Sequence, residues 1–326
     1  MRLIALEEHY HAPSVSQALA NAGRPKPPPE SFVARLQGKL DDLGAGRLAD
    51  MDAGGIAVQV VSQGSPGTEQ LEPGLAVPIA RQANDYLAER VAKHPDRLAA
   101  FATLPTAAPE HAAEELERTV TEHGFRGALI NGHVRGRFLD DRAFWPIFAR
   151  AEALDVPIYL HPTEPPPAVR TAYYDGLPDR FGDILAGNAW GWHVDTGLHV
   201  LRLIAGGVLD EYPELQIIVG HMGEALPYFL ARSSRNLQRQ AGLTRPLDHY
   251  MIENFHFTTS GMFSYPPLRC LLDVIGADRV MFSVDYPFAQ NEEGRDFITG
   301  APISESDREK LAHGNAERLL RLDRSP

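Results

Sequence analysis

The chain has 326 residues, 44% hydrophobic and 23% charged, which excludes a disordered or membrane-embedded protein and fits an ordinary globular one. A formal net charge of −12 argues against a nucleic-acid partner, because neutralising phosphates needs a basic face, although local arginines leave an anionic small molecule open. The lone cysteine, Cys270, excludes an internal disulfide and fits a cytoplasmic setting; no run approaches the about 18 apolar residues of a membrane span, and charge at Glu7 argues against a signal peptide.

In chain order, short runs rich in Val, Ile, Leu and Phe predict buried parallel strands. They fall at Leu3–His9, Ala57–Ser62, Leu98–Leu104, Gly127–Asn131, Val156–His161, Gln216–Gly220, Phe255–Ser260 and Val280–Asp285. Helical spacing follows each: weakly over Leu40–Ala53, then clearly over Ala76–Lys93, Pro109–His123, Asp141–Leu154, Val194–Leu209, Glu224–Gln240, Pro267–Gly276 and Ser304–Leu322. Ser304 with Asp307 three residues on marks a helix start. Cys270, in the largely apolar run Leu268–Val274, is expected to be a buried structural thiol. This strand–helix alternation predicts an α/β fold, a (β/α)8 barrel forming one domain over residues 1–326. No Gly-x-Gly-x-x-Gly follows the first strand, which argues against a dinucleotide-binding sheet.

Two connections are long, Tyr10 to about Lys39 with the stretch Pro25–Pro29, and Pro162 to about His193 with Pro165–Pro167, Trp190 and Trp192. Both follow strand ends, where barrel active sites are built, and are expected to act as lids or pocket walls. The same strand ends carry the chemistry. Glu7 and His9 close the first strand, His161 the fifth, His221 follows the sixth and Asp285 ends the eighth. Residues two apart in a strand share a face, and a barrel brings its strand ends around one axis, so these groups can converge. Imidazoles with carboxylates suit Zn2+, Mn2+ or Fe2+. The register is ambiguous at this point, because His11 alternates onto the same face and His9-x-His11 could supply a histidine pair instead.

The sequence resembles the decarboxylase branch of the amidohydrolase superfamily, which includes γ-resorcylate, 2,3-dihydroxybenzoate, salicylate and 5-carboxyvanillate decarboxylases. The resemblance covers essentially the whole chain. It rests on Ala5-Leu6-Glu7-Glu8-His9, Gly127 to His133, Val156 to Pro162, Val219-Gly220-His221-Met222-Gly223-Glu224, Thr258 to Gly261 and Gly276 to Pro287, in this order and spacing. It implies that Glu7-x-His9 replaces the His-x-His of typical amidohydrolases and that Glu7, His9, His161 and Asp285 hold one divalent ion, Zn2+ or Mn2+. It further implies that His221 is an active-site histidine partnered by Glu224, that Arg232 contacts the substrate, and that Asn131 lines the pocket. Homodimers or homotetramers are implied as well. His11 departs from the family, where a small or apolar residue is usual.

On that basis the expected substrate is an aromatic acid with a hydroxyl ortho to its carboxylate. Asp285 is expected to protonate the ring carbon before CO2 leaves, with Glu224 fixing His221 and Arg232 holding a carboxylate or ring hydroxyl. The main rival is a metal-dependent lactonase or hydratase, in which the final Asp serves as general base. A silent scaffold would carry a broken ligand set, and none is broken here. His133, His193 and His199 are weaker candidates, with His199 expected to be structural.

Overall fold

The apolar runs of the sequence form strands because a barrel stave is covered on both faces, by the interior on one side and helices on the other. In the computed structural model, which describes residues 1–322 apart from 25, 26, 28 and 179, the strands are β1 (Ile4–Tyr10), β2 (Val58–Gln63), β3 (Leu98–Ala100), β4 (Ala102–Thr103), β5 (Ala128–Asn131), β6 (Ile158–His161), β7 (Ile217–Val219), β8 (Phe255–Thr258) and β9 (Val280–Met281). They pair in parallel in the orders β1-β2-β3 and β4 through β9. The two sets join within the run Leu98–Leu104: the Phe101 N–H donates to the Val61 carbonyl at 3.0 Å and the Ala102 N–H to the Gly127 carbonyl at 2.8 Å. That run is one stave. At the other seam the His9 N–H donates to the Tyr286 carbonyl at 2.7 Å, and the Glu7 N–H to Ser283 Oγ at 2.7 Å. The molecule is an α/β barrel.

One irregularity positions the site. Strict alternation along β1 would group Leu3, Ala5, Glu7 and His9 on one face. Ile4 and Leu6 instead pack in the inner cluster with Val60, Phe101, Leu129, Tyr159, Ile218 and Met281, while Leu3, Ala5 and Tyr10 pack in the larger outer one. The pairing of β1 with β2 slips by one residue between Ala5 and Glu8, a β-bulge. Beyond it the phase reverses: Glu7 and His9 turn inward and Glu8 outward, so two metal-type ligands follow an apolar inner face.

The helices differ from the periodicity where side chains intercept the backbone. The expected helix Leu40–Ala53 is two, Phe32–Asp41 and Ala45–Gly54, because Asp42 accepts the Gly44 and Arg47 N–H groups at 2.6 and 3.0 Å. Val194–Leu209 is Gly191–Ala205 followed by Val208–Glu211, broken at Gly206 and Gly207. The helix expected from Glu224 begins at Leu226. Ser304 does cap its helix, accepting the Asp307 N–H at 3.1 Å, although a π-helical turn at Lys310–Gly314 interrupts the run that follows. An unforeseen helix, Asn291–Gly300, lies in the last connection. Both long connections carry helices, Pro13–Asn21 and Phe32–Asp41 in the first, Pro167–Tyr174 and Phe181–Ala186 in the second. Pro25 and Pro28 of the proline stretch lie outside the described residues. Cys270 is half-buried rather than buried, because its helix turns Leu268 and Leu271 inward and leaves Cys270 on the flank.

Candidate metal centre and active site

Glu7 is fully buried, and its two oxygens have different fates. Oε2 accepts from Ser260 Oγ at 2.7 Å and from the Tyr159 hydroxyl. Gly220 makes room for it, since a Cβ there would stand 2.5 Å from Oε2. Oε1 accepts no hydrogen bond among the described residues. Around it stand His161 Nε2 at 3.2 Å, His221 Nε2 at 3.5 Å and His9 Nε2 at 3.9 Å. Asp285 Oδ1 lies 3.3 Å from His9 Nε2, and its Oδ2 lies 3.9 Å from His221 Nε2.

Among the described residues neither ring nitrogen of His9 is hydrogen-bonded, and its Nε2 faces Glu7 Oε1, itself unpartnered, and Asp285. Buried polar atoms left without partners are costly, and this convergence of unpartnered oxygen and nitrogen lone pairs fits a divalent cation. Burial raises the Glu7 carboxyl pKa, but the surrounding imidazoles, His221 foremost, outweigh it and hold the group well below the usual carboxylate range. Burial likewise lowers His9, while Asp285 and Glu7 lift it to about 9. The negative charge that holds a proton there would equally hold a metal ion.

His221 and Glu224 sit in a turn after β7 where His221, Met222, Gly223, Glu224 and Ala225 all have positive φ, from 48° to 83°. Left-handed non-glycine residues cost about 1–3 kcal/mol each and persist only where their surroundings fix them. Here side chains do so: His221 Nδ1 meets Glu224 Oε1 at 2.8 Å, and Glu224 Oε2 meets His193 Nδ1 at 2.6 Å. These three residues form a second possible ligand group. Unlike the first, its facing atoms already satisfy one another, so it is a hydrogen-bonded chain.

Two buried carboxyls escaped the sequence reading. Glu8, turned outward by the bulge, accepts the Val284 N–H at 2.9 Å, the Tyr286 N–H at 3.1 Å and the Ser283 hydroxyl at 3.1 Å. It therefore grips the chain on both sides of Asp285, whose φ is 71°. A signal existed: two adjacent acids in a doubly covered strand cannot both reach solvent. Glu69 accepts the Asn131 N–H at 2.9 Å and lies 3.5 Å from Asn131 Nδ2, beside the end of β5. Glu69 sits in a loop, where sequence offers no such signal.

The remaining predicted residues are placed as follows. Asn131 is buried at the end of β5, opposite His161 in register. Arg232 is exposed on helix Leu226–Asn236 and makes no ion pair or hydrogen bond to the group among the described residues. Among the described residues His11 joins no converging donor group; Gln37 Nε2 lies 3.4 Å from its Nδ1, and burial with the nearby His9 charge lowers it to about 4. His199 is buried and accepts the Leu139 N–H at 2.9 Å, a structural contact. His133 accepts the Gly136 N–H at 2.9 Å.

The amidohydrolase family profile matches residues 21–322. The decarboxylase orsB of Emericella nidulans is 42% identical over 98% of this chain and 97% of its own length. The γ-resorcylate decarboxylase of Rhizobium sp. is 41% identical over 98% of each chain. Among solved structures, a dihydroxybenzoic acid decarboxylase from Polaromonas sp. with bound manganese and 2-nitroresorcinol has a TM-score of 0.88 at 39% identity, covering 99% of this chain and 98% of that one. The protein belongs to the amidohydrolase family, in its decarboxylase branch.

Proposed function

We propose that this protein is a metal-dependent, non-oxidative decarboxylase of ortho-hydroxybenzoates, with 2,6-dihydroxybenzoate as its first candidate substrate. One observation carries the reading: the chain aligns along 98% of its length, at 41% identity, with a γ-resorcylate decarboxylase. Glu7, His9, His161 and Asp285 would hold the ion. It is a divalent metal, for which we propose Mn2+ over Zn2+ on the strength of the manganese in the Polaromonas relative. When bound, it supplies Lewis-acid stabilisation of the substrate's negative charge.

In this reading Asp285 donates a proton to the ring carbon bearing the carboxylate. The bond from that carbon to the carboxyl then breaks, its electron pair restores the aromatic ring, and CO2 departs. The left-handed turn at Asp285, gripped by Glu8, aims the donor. Glu224 holds Nδ1 of His221, which leaves its Nε2 turned toward Glu7 and Asp285. We assign Asn131 to the pocket wall and Arg232 to a substrate carboxylate or hydroxyl.

The test is turnover of 2,6-dihydroxybenzoate, 2,3-dihydroxybenzoate, salicylate and 5-carboxyvanillate by Mn2+- and Zn2+-loaded protein, read as loss of one carboxyl mass with CO2 release. Turnover that disappears in Asp285→Asn supports the assignment. No turnover with stoichiometric metal would sink it and turn the search to lactones and hydratable ring-cleavage products.

We further propose a cytoplasmic homodimer or homotetramer. Tyr173, Phe181 and Tyr228 are 74%, 68% and 79% exposed, with Ile184, Trp190 and Phe229 also open. Apolar groups presented this way favour self-association. Light scattering should give two or four chains, and a monomer that persists at high micromolar concentration would refute it.

A further inference from the structure

We propose that His193 is a doubly protonated positioning residue that locks Glu224, and through it His221, onto the helix Gly191–Ala205. Both ring nitrogens of His193 face oxygen acceptors: Nδ1 is 2.6 Å from Glu224 Oε2, and Nε2 is 2.9 Å from the Asn188 carbonyl. A neutral imidazole has one N–H, so one of these contacts would set two acceptors against each other. A ring carrying both protons satisfies the two at once.

The other oxygen of Glu224 is already engaged by His221 Nδ1 at 2.8 Å, and Glu224 is buried. The carboxylate therefore lies between two imidazoles. Glu224 and His221 are the ionisable groups acting on His193; burial lowers its basicity, and the Glu224 contact more than restores it. The same helix docks on the same turn at a second point, because a Cβ at Gly197 would stand 2.8 Å from the Glu224 carbonyl oxygen. Helix and turn are thus joined by one ionic contact and one close backbone approach. His193 stands in the first turn of the helix that follows the long connection after β6, so it ties the end of that connection to the histidine beside the proposed metal donors.

Without His193, Glu224 keeps one partner for two buried oxygens, and the left-handed turn keeps only the backbone approach at Gly197 as its tie to the helix. The aim of His221 then relaxes while Glu7, His9, His161 and Asp285 stay in place. The kinetic consequence rests on the decarboxylase reading, whereas the protonation state does not.

The test uses full-length, zinc-loaded protein with 15N-labelled histidine. Near pH 7.5 the wild type should show one imidazolium ring that is absent in His193→Gln. In His193→Phe, kcat should fall about tenfold or more, with KM and bound metal within about twofold of wild type, as is usual for residues supporting a metal site. His193→Gln should recover part of the loss, because its amide can still donate to Glu224. A neutral His193 in the wild-type spectrum, or His193→Phe turning over at the wild-type rate, would overturn the proposal. If His193→Phe does not fold, the wild-type spectrum assigned through His193→Gln decides. Failure to decarboxylate any substrate leaves that spectrum intact and counts against the functional reading alone.

Discussion

The buried acids show how a side chain's environment sets its behaviour. Glu69 has one oxygen on Asn131 and the other without a partner among the described residues, and burial pushes its carboxyl up to about 8. For an acid whose folded pKa is raised, the folded state binds the extra proton between the unfolded value, about 4.5, and 8, so stability falls as pH rises through that window. Glu69→Gln keeps an acceptor for the Asn131 N–H and removes the titration. Denaturant melts at pH 5 and pH 9 should show the variant gaining on wild type at the higher pH, by at most about a few kcal/mol. Equal shifts at both pH values would show that Glu69 does not titrate this way. Nothing in the sequence marks this residue, since its burial comes from the loop folding over β5. Glu7 and His9 were legible, as ligand-type residues two apart at a strand end.

The strand elements explain why those two face inward. The one-residue slip between β1 and β2 reverses the phase of β1, and Glu8 uses the outward position to brace residues 283–286. The expected strand Val280–Asp285 stops at Met281 for a related reason. Beyond it the N–H groups of Phe282, Ser283 and Val284 go to the Leu311 carbonyl, Thr259 Oγ1 and the Glu8 carboxyl, not to the backbone of a neighbouring strand. Glu8→Gln replaces an acceptor with a donor facing one of these N–H groups. It should cost about 1–3 kcal/mol of stability and lower kcat about 10–100-fold through a misplaced Asp285. Circular dichroism melts with steady-state kinetics would check both, and wild-type turnover would remove Glu8 from the positioning role. Element order was legible in the eight apolar runs. Breaks at Asp42, Gly206 and the turn 221–225 were not, because side-chain caps and strained turns interrupt a periodicity that itself continues.

For the whole molecule, a divalent ion taken up by the proposed ligands Glu7, His9, His161 and Asp285 would be exchanged for protons. Burial lowers His9 and its acidic neighbours lift it to about 9, so below that pH an incoming ion must displace a proton. Titration calorimetry in two buffers of different ionisation enthalpy should show proton release near pH 7, and apparent affinity should rise with pH up to about 9. Uptake without proton release would mean that His9 is neutral before the ion arrives. The barrel, and the placing of histidines and carboxylates at its strand ends, follow from the sequence itself. Apolar run length, helical spacing and the position of a polar residue at a strand end are local properties that the chain states directly. The inward turn of Glu7, the grip of Glu8, the pairing of Glu69 with Asn131 and the His193–Glu224–His221 chain were decided by the tertiary structure. Each depends on strand register or on a partner many residues away, and only packing chooses which buried polar atoms must satisfy one another.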